Sequence, residues 1–446
     1  MASSQQNGNL GPLRLAVTAL ACIVLILVFE FAGGGERVVI LTFAAVAVAF
    51  WGLWLILRKY PRVEINHIPL FTFGFLFYWI LPLLIRPEGG YFSPVSDSTV
   101  IAALCIMAGI YICFIIGDRM GCRLRYESCG SAPLRGCRPF LYVVLAAALI
   151  YVVAERGALF VEYTDNPARG TLTSFALLLF AIAISRAASR NESSIKNRYF
   201  SAFFLSCIFL AYLGQRMSLV SACVSLAVYW SCYFGGISTR RLAIGFVAAV
   251  FLVGFIGLIR MGDEVSLAGL GTNVLTEPLG VAISLFDFLS SHHLPLLAAP
   301  TELLSRFSNL LPSAIVGNKQ DLVVAWRGDI SSPFGSFNAF VSWMLNFGIL
   351  GSFAFAALVG FCFRWLRQKG TALSRSIYPM LCGFLAFSFF RDDFGIVIVK
   401  EMLEASIIFP VLVFGFSSLV FLPHSERSPR AAGVLPGGSI PREATR

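Results

Sequence analysis

The sequence predicts an all-α, polytopic integral membrane protein, and three observations carry that expectation. Hydrophobic residues make up 57% of the 446 and charged residues 13%, whereas a soluble chain carries about twice that charged share. Apolar runs of roughly 18 residues or more recur along the whole length, enough for a helix to cross a ~30 Å hydrocarbon core. Lys and Arg concentrate on alternate loops, the asymmetry that marks the cytoplasmic side.

Taken in order, about twelve spans are expected: Leu13–Ala32, Val38–Leu57, Pro69–Ile85, Ser98–Gly117, Phe140–Val153, Thr173–Ile184, Tyr199–Leu213, Met217–Gly235, Leu242–Ile259, Phe337–Phe363, Ile377–Phe390 and Phe394–Leu422. The first is read as a span and not as a cleaved leader. Its apolar part is long, no small-residue cleavage site follows, and a second span comes at once. The basic loops hold Arg58, Lys59 and Arg62, then Arg119 to Arg138, Arg186 to Arg198, Arg240 with Arg241, and Arg364 to Arg375. That places both termini in the cytoplasm. The net charge of +10 is mostly this orientation signal with attraction to the membrane surface, so no nucleic-acid partner is implied. None of the 11 Cys falls in an outward loop, which argues against a disulfide framework. Cys122, Cys129 and Cys137 are too widely spaced, with no His nearby, to suggest a metal site.

The chain divides into a cytoplasmic tail (1–12), a transmembrane domain (13–422) and a disordered cytoplasmic tail (423–446). Within the domain, 260–336 form one long outward loop, and long loops in compact proteins usually carry function. Thr276-Glu277-Pro278 and Pro300-Thr301-Glu302 read as helix starts. Leu303, Leu304, Phe307, Leu310 and Leu311 then recur at helical spacing, as in an amphipathic helix on the membrane surface or over a cavity.

Arginines on the outward side need a local reason, because the orientation rule supplies none there. Arg216 follows the turn between the seventh and eighth spans, Arg260 ends the ninth, Arg306 lies on the loop helix and Arg391 ends the eleventh. A guanidinium stays charged and fits phosphate bidentately; equally, such an Arg can snorkel to the headgroups. Asp392 is either a general base for a hydroxyl or a charge partner for Arg391. His292 and His293 are either donors near neutral pH or solvated loop residues. Lys400 and Glu401 lie about six residues into the last span, or roughly 9 Å. Charges at that depth must line a cavity or pair with one another. No nucleotide-binding loop or serine-hydrolase signature occurs, so ATP-driven transport and serine hydrolysis gain no support.

An ordered set of short motifs resembles the Wzy-type O-antigen polymerases. These are Gly214-Gln215-Arg216, Arg260, Ser305-Arg306-Phe307 running to Leu311-Pro312-Ser313, Ser332-Pro333-Phe334-Gly335-Ser336, Asn346-Phe347-Gly348-Ile349-Leu350-Gly351 and Arg391-Asp392-Asp393. The likeness runs from about Leu213 to Leu403; the first five spans match only in hydropathy. It implies a GT-C-like fold and a glycosyltransferase acting at the periplasmic face. A growing glycan would leave undecaprenyl pyrophosphate and join the terminal sugar of a new lipid-linked repeat unit, without cofactor or metal. A polysaccharide chain-length regulator is an expected partner beside membrane lipid. The resemblance carries Arg216, Arg260, Arg306 and Arg391 over as pyrophosphate ligands, with Arg391, Asp392 and Arg306 nearest the chemistry. The acid beside the last Arg varies in that family. An O-antigen ligase, which transfers glycan to lipid A core, and a lipid-linked oligosaccharide flippase are the alternatives.

Overall fold

The computed structural model describes chiefly residues 62–80, 97–122, 137–154, 168–193, 198–212, 216–238, 267–292, 294–300, 338–392 and 395–420. They are mostly helical. The order is β1 (Arg62–Val63), α1 (His67–Phe75) running into a π-helical turn (Leu76–Ile80), α2 (Asp97–Gly121), α3 (Cys137–Ala154), α4 (Ala168–Arg190), α5 (Arg198–Tyr212), α6 (Arg216–Tyr233) and β2 (Ile237–Ser238). Next come α7 (Leu267–Ser291), α8 (Ala339–Lys369), α9 (Ala372–Leu385) and α10 (Ser388–Arg391). A π-helical stretch (Gly395–Ile408) then leads into α11 (Phe409–Val420). Among the described residues, three stretches are long and apolar enough to cross a membrane: Ala102–Gly121, Gly170–Arg190 and Ala339–Lys369. The first, second and ninth expected spans lie outside the described residues. The fifth and sixth become the longer helices α3 and α4.

Exposure supports a lipid surround. On α3, Leu149, Ile150 and Val153 keep 65%, 69% and 62% of their surface exposed, a pattern that water disfavours and hydrocarbon does not. Inside, serines are buried: Ser185, Ser221, Ser225, Ser342, Ser352, Ser376 and Ser406. Where lipid is as apolar as any core, close packing by small residues holds helices together. The pairing of α2 with α8 works this way. A Cβ on Gly117 would stand 1.8 Å from the Ala357 carbonyl oxygen, and one on Gly360 would stand 2.1 Å from that of Phe114. Since Gly109 faces Phe353 and Gly121 faces Arg364, the two helices run parallel. Both are even-numbered spans in the sequence reading, so that direction is the expected one.

Helix α9 occupies the centre. Every residue from Ser376 to Leu385 is buried, the mark of a helix surrounded on all sides. Tyr378, Leu381, Cys382 and Leu385 join one apolar cluster, with α1, α2, α7 and α8. Met380 and Phe384 join another, with α3 to α6 and α11. Its start is set locally. Gly370, at φ +64, ends α8 in the left-handed conformation, and the Thr371 side chain accepts from the Ser374 amide at 3.2 Å. Glycine after a helix and threonine before the next are the residues those positions favour.

Two expectations about the outward segment change. Thr276-Glu277-Pro278 does not begin a helix: α7 starts at Leu267 and Pro278 lies inside it. Nor does α7 simply cap the bundle, because Val281, Ala282, Leu285, Phe286 and Phe288 are part of the core. The capping signal is local, and burial of this apolar stripe overrides it. The second amphipathic helix falls largely outside the described residues. Helix α8 breaks at Gly348, where φ is +71 and ψ −178. The segment after α7 takes up the freed backbone groups there. Ile349 N–H donates to Pro295 O, Leu350 N–H to Leu296 O, and Ala298 N–H to Phe347 O, each at 3.1 Å. Asn346 completes the junction, its Oδ1 accepting from Leu303 N–H at 3.0 Å. Backbone groups freed within an apolar surround must be satisfied by protein in this way.

Candidate functional site

The loops that the charge asymmetry assigns to one side of the membrane meet one another. β1 pairs with β2, Arg367 pairs with Glu64, Arg364 donates to Cys122 Sγ and Arg375 donates to Asn191. The segments assigned to the opposite side likewise meet, and they build the candidate site.

Its centre is Arg391, delivered by the short helix α10. The Arg391 Nε lies 2.5 Å from Glu277 Oε1, on α7, and 3.8 Å from Asp392 Oδ1. All three are largely withdrawn from solvent, with side chains 19%, 10% and 21% exposed. Glu401, on the π-helical stretch, lies within electrostatic reach of Arg391, Asp392 and Lys400 and beside Ser388. Tyr78, from the π-helical turn after α1, is also close enough to act on Arg391. Three carboxylates thus lie around Arg391, with Lys400 beside the third of them. π-Helical turns are rare and concentrate at functional places; two of them supply residues here.

Aromatic rings form the floor. Trp79 lies 5.6 Å from Phe390 and 3.9 Å from Phe340 between ring centroids, and Trp343 lies 5.1 Å from Phe389. These rings are buried. A charge above such a floor has few water molecules to screen it, so each ionic contact is stronger than at a surface. Chemically, the site offers one planar cation able to hold an anion and two carboxylates in contact with that cation.

The sequence-derived candidates separate into groups. Arg391, Asp392, Lys400 and Glu401 come together. His292 does not join them: it sits 15 residues after Glu277 on the same helix axis, about 22 Å away at 1.5 Å per residue. There its ring stacks on Phe288 at 5.0 Å and Nδ1 meets Ser291 Oγ at 2.7 Å. Arg216 is the first residue of α6, while Arg260, Arg306 and His293 lie outside the described residues. Sequence reasoning missed Glu277, Tyr78 and Ser388. Glu277 did leave a signal, because it is a lone acid in the apolar stretch leading to Phe286, and a buried acid needs a cation.

A second buried constellation lies at the other end of the bundle. His67, at the start of α1, is fully buried. Its Nδ1 lies 2.9 Å from Tyr378 Oη and its Nε2 lies 2.8 Å from Asp118 Oδ1. Its backbone N–H donates to the same Tyr378 oxygen at 3.2 Å, and its ring stacks on Phe363 at 5.5 Å. Four helices are joined at this one imidazole. Tyr378 is 13 residues before Arg391 in the chain, roughly 20 Å if helical throughout, so the two constellations are separate.

Comparison with family models, with curated proteins and with solved structures yields no match to this chain.

Proposed function

We propose that the protein polymerises polyprenyl-pyrophosphate-linked oligosaccharide repeat units at the periplasmic face of the bacterial inner membrane. The growing glycan passes from its lipid pyrophosphate to the terminal sugar of a new lipid-linked unit. The observation that carries this reading is the seating of Arg391 between Glu277 and Asp392 above an aromatic floor. A glycosyl transfer of this kind needs a fixed cation for the departing pyrophosphate and a carboxylate within reach of the attacking hydroxyl. Both are at one place, in a segment that also carries the ordered motifs described above. Arg216, Arg260 and Arg306 are assigned as further donors to the same pyrophosphate. Lys400 and Glu401 line the cavity wall beneath, with membrane lipid and a chain-length regulator as partners.

The flippase reading expects charge through the middle of several spans. Among the described residues, charged side chains inside an expected span occur only in the last one, at Lys400, Glu401 and Glu404. Deleting the gene in its native host is the test. The polymerase reading expects loss of long polymer, with a single repeat unit still attached to its acceptor. Complete loss of attached glycan would mean a ligase, and unchanged polymer length would reject both enzymes. Arg391→Lys should also fail to restore long chains, because an ammonium cannot donate in the planar fork.

A further inference from the structure

We propose that Glu277 is the general base of the transfer, held in place by Arg391 until the donor pyrophosphate displaces it. The assignment rests on the polymerase reading and adds to it the identity of the proton acceptor. Two features of the site single out Glu277 over Asp392. Glu277 makes the closer contact with the guanidinium, 2.5 Å against 3.8 Å. It stands on α7, a different element from Arg391, so the pair can part without either helix unwinding. Asp392 is the chain neighbour of Arg391 and moves with it.

The exchange follows from charge. An arriving pyrophosphate brings more negative charge than a carboxylate and fits the same guanidinium fork. It therefore competes with Glu277 for the Arg391 cation, with which Glu277 is paired in the resting site. The displaced carboxylate remains within a side-chain length of the bound donor, where the acceptor hydroxyl must approach. In the transfer, the acceptor O–H proton passes to the Glu277 carboxylate and its oxygen forms a bond to the anomeric carbon. The bond from that carbon to the phosphate oxygen breaks, and its electron pair leaves with the polyprenyl pyrophosphate, whose charge Arg391 takes up. The protonated Glu277 then loses its proton to water when the lipid departs and Arg391 returns.

The test uses the full-length protein in lipid nanodiscs, with inorganic pyrophosphate as the binding probe, alongside chain length in the deletion strain. Glu277→Gln removes the competitor and the base while keeping shape. It should bind pyrophosphate at least tenfold more tightly than the unaltered protein, yet extend chains about 100-fold more slowly, the low end of a general base's contribution. Tighter binding also shows that the variant is folded. Glu277→Asp should recover part of the extension rate. Wild-type chain length in Glu277→Gln, or pyrophosphate binding no tighter than wild type, overturns the assignment of Glu277 alone. Arg391→Ala binding pyrophosphate as well as the unaltered protein instead overturns the reading on which it rests.

Discussion

Charge balance in the Arg391 cluster leads to an asymmetric prediction. Removing Arg391 as Arg391→Met leaves both Glu277 and Asp392 without their shared cation. Neutralising Glu277 as Glu277→Gln leaves Arg391 still paired with Asp392. At 2.5 Å and an effective dielectric of about 20, the gross attraction of the Arg391–Glu277 pair is about 6–7 kcal/mol. Desolvation of both groups offsets much of this. Stripping away one partner leaves the other buried and uncompensated, which typically costs ~3–5 kcal/mol. Arg391→Met should therefore lose stability in that range. Glu277→Gln should lose only about 1 kcal/mol, because Arg391 keeps Asp392 as a charge partner. The assay is reversible unfolding of the purified protein in mixed micelles by SDS titration, followed by tryptophan fluorescence. Equal losses in the two variants would refute the charge-balance argument, as would a Glu277→Gln loss larger than that of Arg391→Met.

Other consequences follow from the packing. Gly117→Leu must push the Ala357 carbonyl from 1.8 Å out to ordinary contact, parting α2 from α8. A loss of ~1–3 kcal/mol is expected from such overpacking, read in the same titration, while Leu at the lipid-facing Ile112 should cost little. Tyr378→Phe leaves the His67 backbone N–H and Nδ1 without their hydroxyl partner and should cost about 1–3 kcal/mol. Hydrogen exchange should then rise at the start of α1. Gly348→Ala places a side chain at φ +71 against the Leu296 backbone 2.7 Å away, a conformation costing about 1–3 kcal/mol before any clash. Proteolysis of the 294–300 segment should accelerate in that variant.

Much of the architecture was readable in the sequence because membrane solvent imposes long-range order on local patterns. Helices α2, α8 and α6 match expected spans closely, since an apolar run of the right length has one inexpensive conformation in hydrocarbon. The parallel direction of α2 and α8, and the meeting of Arg62–Val63 with Ile237–Ser238, follow from the same parity that Lys and Arg revealed. The central place of α9 was less visible: a run of only 14 residues reads as a marginal span until neighbours surround it. For the site, Arg391 and Asp392 stood out because charge interrupts an apolar run. Glu277 was passed over because Thr before it and Pro after it have the look of a helix start.

By itself, then, the sequence determined the solvent of this chain, its helical class and the residues too polar for their surroundings. Those properties depend on composition and on spacing along one helix, which a chain carries wherever it folds. Only the tertiary structure decided that Glu277, more than 100 residues before Arg391 in the chain, is the carboxylate against that guanidinium, and that His67 joins Asp118 to Tyr378. Ion pairs between distant helices depend on which faces pack together. That choice is made by small residues such as Gly117 and Gly360, whose significance appears only when the opposing backbone is in view.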